Sequence, residues 1–216
     1  MGSIFNMDNG FFSAIGKIVD IIILSVVWLI LCIPVITIGP ATTALYYTTV
    51  KVIRRERGYL LREFFRSFKE NLKNGVISGV IITAIIIMLL FNRNFALRLE
   101  DNTGFILLSA YNAMLFLIFC ITVYLFPVLS RFRMGVKQLF KTSFFMSMKH
   151  LPTTLLLVVI VAFFGLGTYI LPIAVFISPA ICFLLCSFLL ERVFKKYMPE
   201  KTEDAETSGR DEWYLE

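Results

Sequence analysis

Residues Pro34–Tyr47 read P-V-I-T-I-G-P-A-T-T-A-L-Y-Y. They lie inside a charge-free run from Ile21 to Val50. Such a run is longer than a bilayer requires, because about 20 helical residues cover the roughly 30 Å hydrocarbon core. Pro34 and then Gly39-Pro40 interrupt the run where a first membrane span should finish. Proline lacks a backbone donor, clashes with the preceding turn and pushes the residue before it out of the α region. Beyond the interruption the chain turns basic, so the stretch marks the expected junction between membrane and cytoplasm. Gly39, Pro40, Thr42, Thr43 and Tyr46 form its candidate motif. Their hydroxyls either satisfy backbone groups freed by the break or line a small polar pocket.

Composition agrees with a membrane protein. Of 216 residues 58% are hydrophobic and 17% charged, with a mean hydropathy of +0.80. Soluble domains carry nearer a quarter charged residues. The cysteines, Cys32, Cys120, Cys182 and Cys186, all fall in apolar runs and read as small buried hydrophobes. Cys182 and Cys186 share a helix face but have no His or carboxylate near them, so neither a disulfide framework nor a metal site is expected. Lys17 follows Phe11-Phe12 instead of forming a positive n-region, and no small-residue cleavage site ends the next apolar run. The first apolar segment is therefore expected to remain as an anchor.

In chain order, residues 1–17 are expected as an extracytoplasmic lead with Ile4, Phe5, Phe11, Phe12 and Ile15 at the interface. A membrane domain is expected over 18–198, with spans near 18–38, 74–92, 105–129, 152–170 and 172–190. Asp20 should sit in the first turn of the first span, beside Lys17. Pro127 should end the regular part of the third span. The charge-free stretch Leu151–Leu190 is twice the length of one span, so it reads as a hairpin turning at Gly165, Gly167 and Pro172, with Pro179 kinking its second arm. A span plus a re-entrant segment is the alternative. Residues 199–216, rich in acidic side chains, read as a disordered cytoplasmic tail.

Two amphipathic helices are expected in the cytoplasmic loops 39–73 and 131–150. In the first, Leu61, Phe65, Phe68 and Leu72 form an apolar stripe, and Arg62, Arg66, Lys69 and Lys73 run parallel to it. In the second, Arg133, Lys137 and Lys141 share a face. Both stripes are candidate docking faces for anionic lipid or for a protein partner. Lys and Arg number eight in the first loop, two in the second, five in the third and none in the fourth, and the C-terminal flank begins with three. By the positive-inside rule this alternation places the N-terminus outside and the C-terminus in the cytoplasm. A weak repeat at an offset of 80 residues pairs Phe64-Phe65, Ser67 and Lys69 with Phe144-Phe145, Ser147 and Lys149.

Chemistry has little to work with. His150 is the one histidine, and no zinc-helix, phosphate-loop or paired-cysteine motif is present. No catalytic, cofactor-binding or metal-binding residues are assigned, and an enzyme is not expected. The span interiors carry no Asp, Glu, Lys, Arg or His. Ser25, Ser78, Thr83, Asn112, Thr122 and Ser187 read as interhelical hydrogen-bonding residues. The net charge of +6 is explained by the juxtamembrane loops, and no nucleic-acid partner is expected.

The segment from Asp20 to Tyr47, followed by R-R-E-R-G-Y and F-F-R-S-F-K-E-N-L-K, resembles the YesL family of bacterial membrane proteins of unknown function. Where that family has Gly-Ala-Ser, this chain has Gly39-Pro40-Ala41. The resemblance implies a small multi-pass protein of the bacterial inner membrane, encoded near sugar-import and glycan-degradation systems, and it brings no catalytic or binding residues. The resulting expectation is an all-α bundle of about five spans, able to form homo-oligomers. It would serve as an accessory or regulatory partner of a carbohydrate importer subunit. The alternative is a permease for a neutral solute such as a sugar, either a facilitator or a subunit of an ATP-driven importer.

Overall fold

A computed structural model describes residues 10–99, 102–132 and 134–197. The proposed lead residues Ile4 and Phe5, the basic residue Arg133 and the acidic tail lie outside the described residues. Among those described, the regular secondary structure is all helical: α1 (Gly10–Cys32), α2 (Ile38–Thr48), α3 (Leu60–Glu70), α4 (Leu72–Ala96), α5 (Asn102–Arg131), α6 (Val136–Lys149), α7 (Leu151–Ile170) and α8 (Ser178–Phe194). Four segments are long and apolar enough to cross a membrane: Ile15–Cys32, Leu72–Ala96, Asn102–Arg131 and Leu151–Ile170. Helix α8 has 17 residues and carries Glu191 and Arg192, so it is shorter and more polar than the expected fifth span.

The interruption behaves differently from its sequence reading. Helix α1 stops at Cys32, because Pro34 disfavours the α conformation at the residue before it. A 3-10 turn at Val35–Thr37 follows. The Thr37 hydroxyl lies 2.5 Å from the Leu31 carbonyl and 2.7 Å from that of Pro34, within reach of acceptors freed at the helix end. Gly39-Pro40 is no break at all. Pro40 is the third residue of α2, where a missing N–H costs nothing because the first turn has no intrahelical acceptor for it.

Helix α2 is the buried centre of the bundle. Every residue from Gly39 to Tyr46 is buried, and six of them have polar or small side chains. It continues through a π-helical stretch, Thr49–Arg54, and ends in a turn where Glu56 (φ 55°) and Gly58 (φ 86°) adopt left-handed backbone. Lys17 pairs with Glu56 at 2.5 Å, and Trp28 donates to the Thr42 hydroxyl at 3.3 Å. Helix α2 therefore doubles back along α1. That is not the geometry of one straight crossing from 18 to 38 with residues 17 and 56 on opposite sides. Helix α1 also begins earlier than expected, at Gly10, because nothing before Asp20 interrupts it. Asp20 consequently lies well inside the helix.

Close approach of backbones admits α2 to the centre. A Cβ on Gly39 would run into the Gly75 carbonyl, and one on Gly79 would lie 3.3 Å from the Gly39 backbone. Small residues let membrane helices pack this closely. Helices α4 and α5 form an antiparallel pair, joined near one end by Arg93 Nε donating to Asn112 at 2.9 Å. At the other end Asn74 donates to the Met134 carbonyl at 3.3 Å, and His150 meets Tyr197 at 3.1 Å. The start of α4, the end of α5, the start of α7 and the end of α8 thus share the basic end of the bundle.

Three helix-breaker expectations are corrected. Helix α5 runs on through Pro127 to Arg131, its last turns held by burial of Tyr124–Leu129. Gly165 and Gly167 lie within α7, which ends at Ile170, and the turn falls at Pro172–Phe176. Pro179 is the second residue of α8 and starts that helix instead of kinking it.

The crossing of α2 and α4 yields a test. Gly75→Ala would place a Cβ 2.8 Å from the Pro40 nitrogen and should cost about 1–3 kcal/mol, read as a lower unfolding temperature in detergent. Gly135→Ala and Gly165→Ala, whose Cβ would meet nothing within 4 Å, should change stability by less than about 0.5 kcal/mol. Equal effects at all three positions would contradict the described crossing.

Candidate functional site

Two charged clusters are built around α2. In the first, Glu191 in the last turn of α8 accepts from Arg131, the last residue of α5. The distances are 3.0 Å from Nε and 2.7 Å from Nη2. The Tyr46 hydroxyl of α2 donates to the same carboxylate oxygen at 2.9 Å. The Arg131 side chain has no exposure and that of Glu191 only 6%. The rings of Phe183 and Phe194 meet Tyr46 edge-on at 6.3 and 6.4 Å. Arg131 suits the negative end of its own helix dipole, whereas Glu191 opposes its own. Glu191 therefore depends on Arg131 and Tyr46 for its charge to be tolerated.

In the second cluster Lys51, within the π-helical stretch, pairs with Glu63 of α3 at 2.9 Å. Tyr47 lies 3.3 Å from the Lys51 ammonium and 3.5 Å from the Glu63 carboxylate. Burial works against the Lys51 charge. The hydrogen bond from Lys51 to Glu63 and the adjacent Tyr47 oxygen outweigh it, and its pKa ends above the ordinary lysine value. Nearby, Arg54 donates to the Ser187 carbonyl at 3.1 Å and stacks 4.4 Å from the Phe188 ring centroid.

The candidate junction residues come together around α2 but do different things. Thr43 donates to the Gly39 carbonyl at 3.0 Å, Thr42 accepts from Trp28, and Tyr46 belongs to the charged cluster. Gly39 and Pro40 make the close approach to α4. Of the polar residues in the apolar segments, Ser25 bridges to the Ile177 carbonyl (3.5 Å) and the Ala180 amide (3.3 Å), and Asn112 holds Arg93. Ser78 and Thr122 bond back to their own helices, at Asn74 and Ile118.

The basic stripes lie outside. Arg62, Arg66, Lys69 and Lys73 are exposed, as are Lys137 and Lys141. Helix α3 buries Glu63, Phe64 and Ser67, and α6 buries Leu139, Ser143, Met146 and Ser147. The two helices present unlike surfaces. On α3 the basic residues occupy one sector and Leu61 and Phe65 the next. On α6 Lys137 and Lys141 are interleaved with exposed Phe144, Phe145 and Met148. His150, beside α6, is held below the ordinary histidine pKa by burial and by Lys196 and Lys149.

Lys17, Asp20, Val52, Ile53, Glu56 and Gly58 line an open cleft of about 260 Å³, smaller than most small-molecule sites. Among the described residues no three His, Cys, Asp or Glu side chains gather in a metal-holding group.

Residues 21–93 match the family described as "Protein of unknown function, DUF624". That stretch comprises most of α1, all of α2 and α3, and most of α4. It contains all but the first residue of Asp20–Lys73, where the YesL resemblance is strongest, and extends beyond it to residue 93, although the description does not carry that name. No curated protein and no solved structure matches the chain.

The sequence reading missed Arg131, Glu191, Lys51 and Glu63 as partners. A signal existed: Arg131 and Glu191 each end a long apolar run, with opposite signs. Which runs pack together is not written locally.

Removing one member of the first cluster separates its roles. Glu191→Gln removes the carboxylate that the buried Arg131 side chain meets and should cost about 3–5 kcal/mol. The double change Arg131→Met with Glu191→Leu should recover most of that loss. Denaturant unfolding in mixed micelles measures both, and a fully stable Glu191→Gln protein would show the pair is not buried as described.

Proposed function

We propose that the protein is a non-catalytic accessory component of the bacterial cell membrane that contacts a subunit of a carbohydrate importer. The single observation that carries the docking part is the exposed face of α6. It mixes Lys137 and Lys141 with Phe144, at 45% exposure, and Phe145, at 56%. Aromatic anchors interleaved with cations resemble a protein interface more than a lipid boundary, because interface centres favour aromatic residues ringed by polar ones. The carbohydrate part rests on the resemblance of Asp20–Lys73 to YesL proteins.

The basic end of the bundle faces the cytoplasm on this reading, following the distribution of Lys and Arg. The Lys17–Glu56 pair supports placing the start of α1 on the same side as the turn after α2. On this reading the N-terminus is not outside, where the alternation of Lys and Arg over five spans places it.

Copurification from native membranes tests the proposal. An importer subunit should enrich with the protein, and Lys137→Glu with Lys141→Glu should weaken the association about tenfold, or ~1.4 kcal/mol. Absence of any importer subunit would end the accessory reading. Sugar flux through proteoliposomes containing this protein alone would replace it with a permease.

A further inference from the structure

Helix α3 has three faces, and the described residues cover only one of them. At 100° per residue, Glu63, Phe64 and Ser67 form the buried sector against α2. Leu61 and Phe65, 46% and 42% exposed, form a second with half-buried Phe68 at its edge. Arg62, Arg66 and Lys69 form a third, centred roughly 100° further round. Leu72 and Lys73 repeat the apolar and basic pairing at the start of α4, and both are exposed. Arg66 also pairs with Glu70 at 3.2 Å, on the far edge of the basic sector.

Position supplies the second argument. Helix α4 is long and apolar enough to cross a membrane from Leu72 onward. Helix α3 ends at Glu70, leaving Asn71 alone between them. The end of α3 is therefore held at the surface of whatever bilayer α4 enters. A helix tethered there, with an apolar sector beside a basic one, matches the chemistry of a boundary whose interior is hydrocarbon and whose surface is anionic. A protein groove would not require the two kinds of side chain to be sorted into separate sectors, and on α6 they are not.

We infer that α3 lies in the membrane interface, with Leu61 and Phe65 among acyl chains and Arg62, Arg66 and Lys69 binding the headgroups of anionic phospholipids. This surface is distinct from the α6 face, and it stands or falls independently of any importer.

Phe65→Trp provides the probe in the full-length protein reconstituted in vesicles. The signal is the increment over the parent, whose own tryptophans are subtracted. Brominated phosphatidylglycerol should quench that increment at least about threefold more than brominated phosphatidylcholine at equal mole fraction. Changing Arg62, Arg66 and Lys69 to Gln together should bring the two lipids to equality without lowering thermal stability, since all three side chains are exposed. Equal quenching by both lipids before that change would overturn headgroup selectivity. No quenching by either would place the sector against water or protein and overturn the inference entirely. If Phe65→Trp does not fold, Leu61→Trp reports on the same sector with the same outcomes.

Discussion

A guanidinium, a carboxylate and a phenol meet where α5, α8 and α2 converge, and the rest of the bundle is arranged so that none of the three must face hydrocarbon. Arg131 and Glu191 are fully or nearly buried. In a membrane-type core the alternative to pairing is an isolated charge costing several kcal/mol. The pair does not make the fold more stable than apolar side chains of similar volume would. What it does is penalise other arrangements. If α8 slid by one turn against α5, both charges would lose their partner, and Tyr46 would lose its acceptor with them. The cluster therefore fixes the register of three helices that apolar packing alone leaves free to slide.

The same constraint explains why α2 is central. Its polar groups are too many for lipid, and several are satisfied inward, to α1 through Thr42, to α8 through Tyr46 and to α3 through Lys51. Entry to the centre is made possible by Gly39, Gly75 and Gly79, whose missing side chains allow α2 and α4 to touch backbone to backbone. Helix α3 closes over α2 through Glu63 and Phe64, and this leaves its other two sectors outward. The surface character of α3 is thus a consequence of what α2 needs covered.

Much of this was legible in the sequence. Long apolar runs announced helices α1, α4, α5 and α7, and the period of Leu60–Glu70 announced an amphipathic helix. The prolines were harder to place. Pro34 does end a helix, whereas Pro40 and Pro179 begin helices, and Pro127 is carried within one. Local rules state what a proline forbids, but burial decides whether the helix tolerates it. The half-apolar stretch after Gly39 reads as part of the cytoplasmic connection 39–73, outside the membrane core. The carboxylates that Lys51 and Tyr46 meet lie 12 and 145 residues away in sequence, beyond what periodicity can register. Lys51 and Arg131 were read as topology signals for the same reason. In both cases a charge beside an apolar run has two meanings, and the distant carboxylate decides between them.

The fold sorts its surfaces by chemistry: an apolar girdle on α1, α4, α5 and α7, a divided face on α3 and a mixed face on α6. The divided face of α3 follows from α2 being enclosed, which makes that enclosure the central claim. Amide hydrogen–deuterium exchange on the full-length protein in lipid nanodiscs tests it most directly. Residues 41–50 should exchange as slowly as the middle of α4, because their amides are helical and shielded from water. Exchange of that segment as fast as the turn at residues 55–59 would mean that α2 is a solvated loop, and the account built on it would not stand.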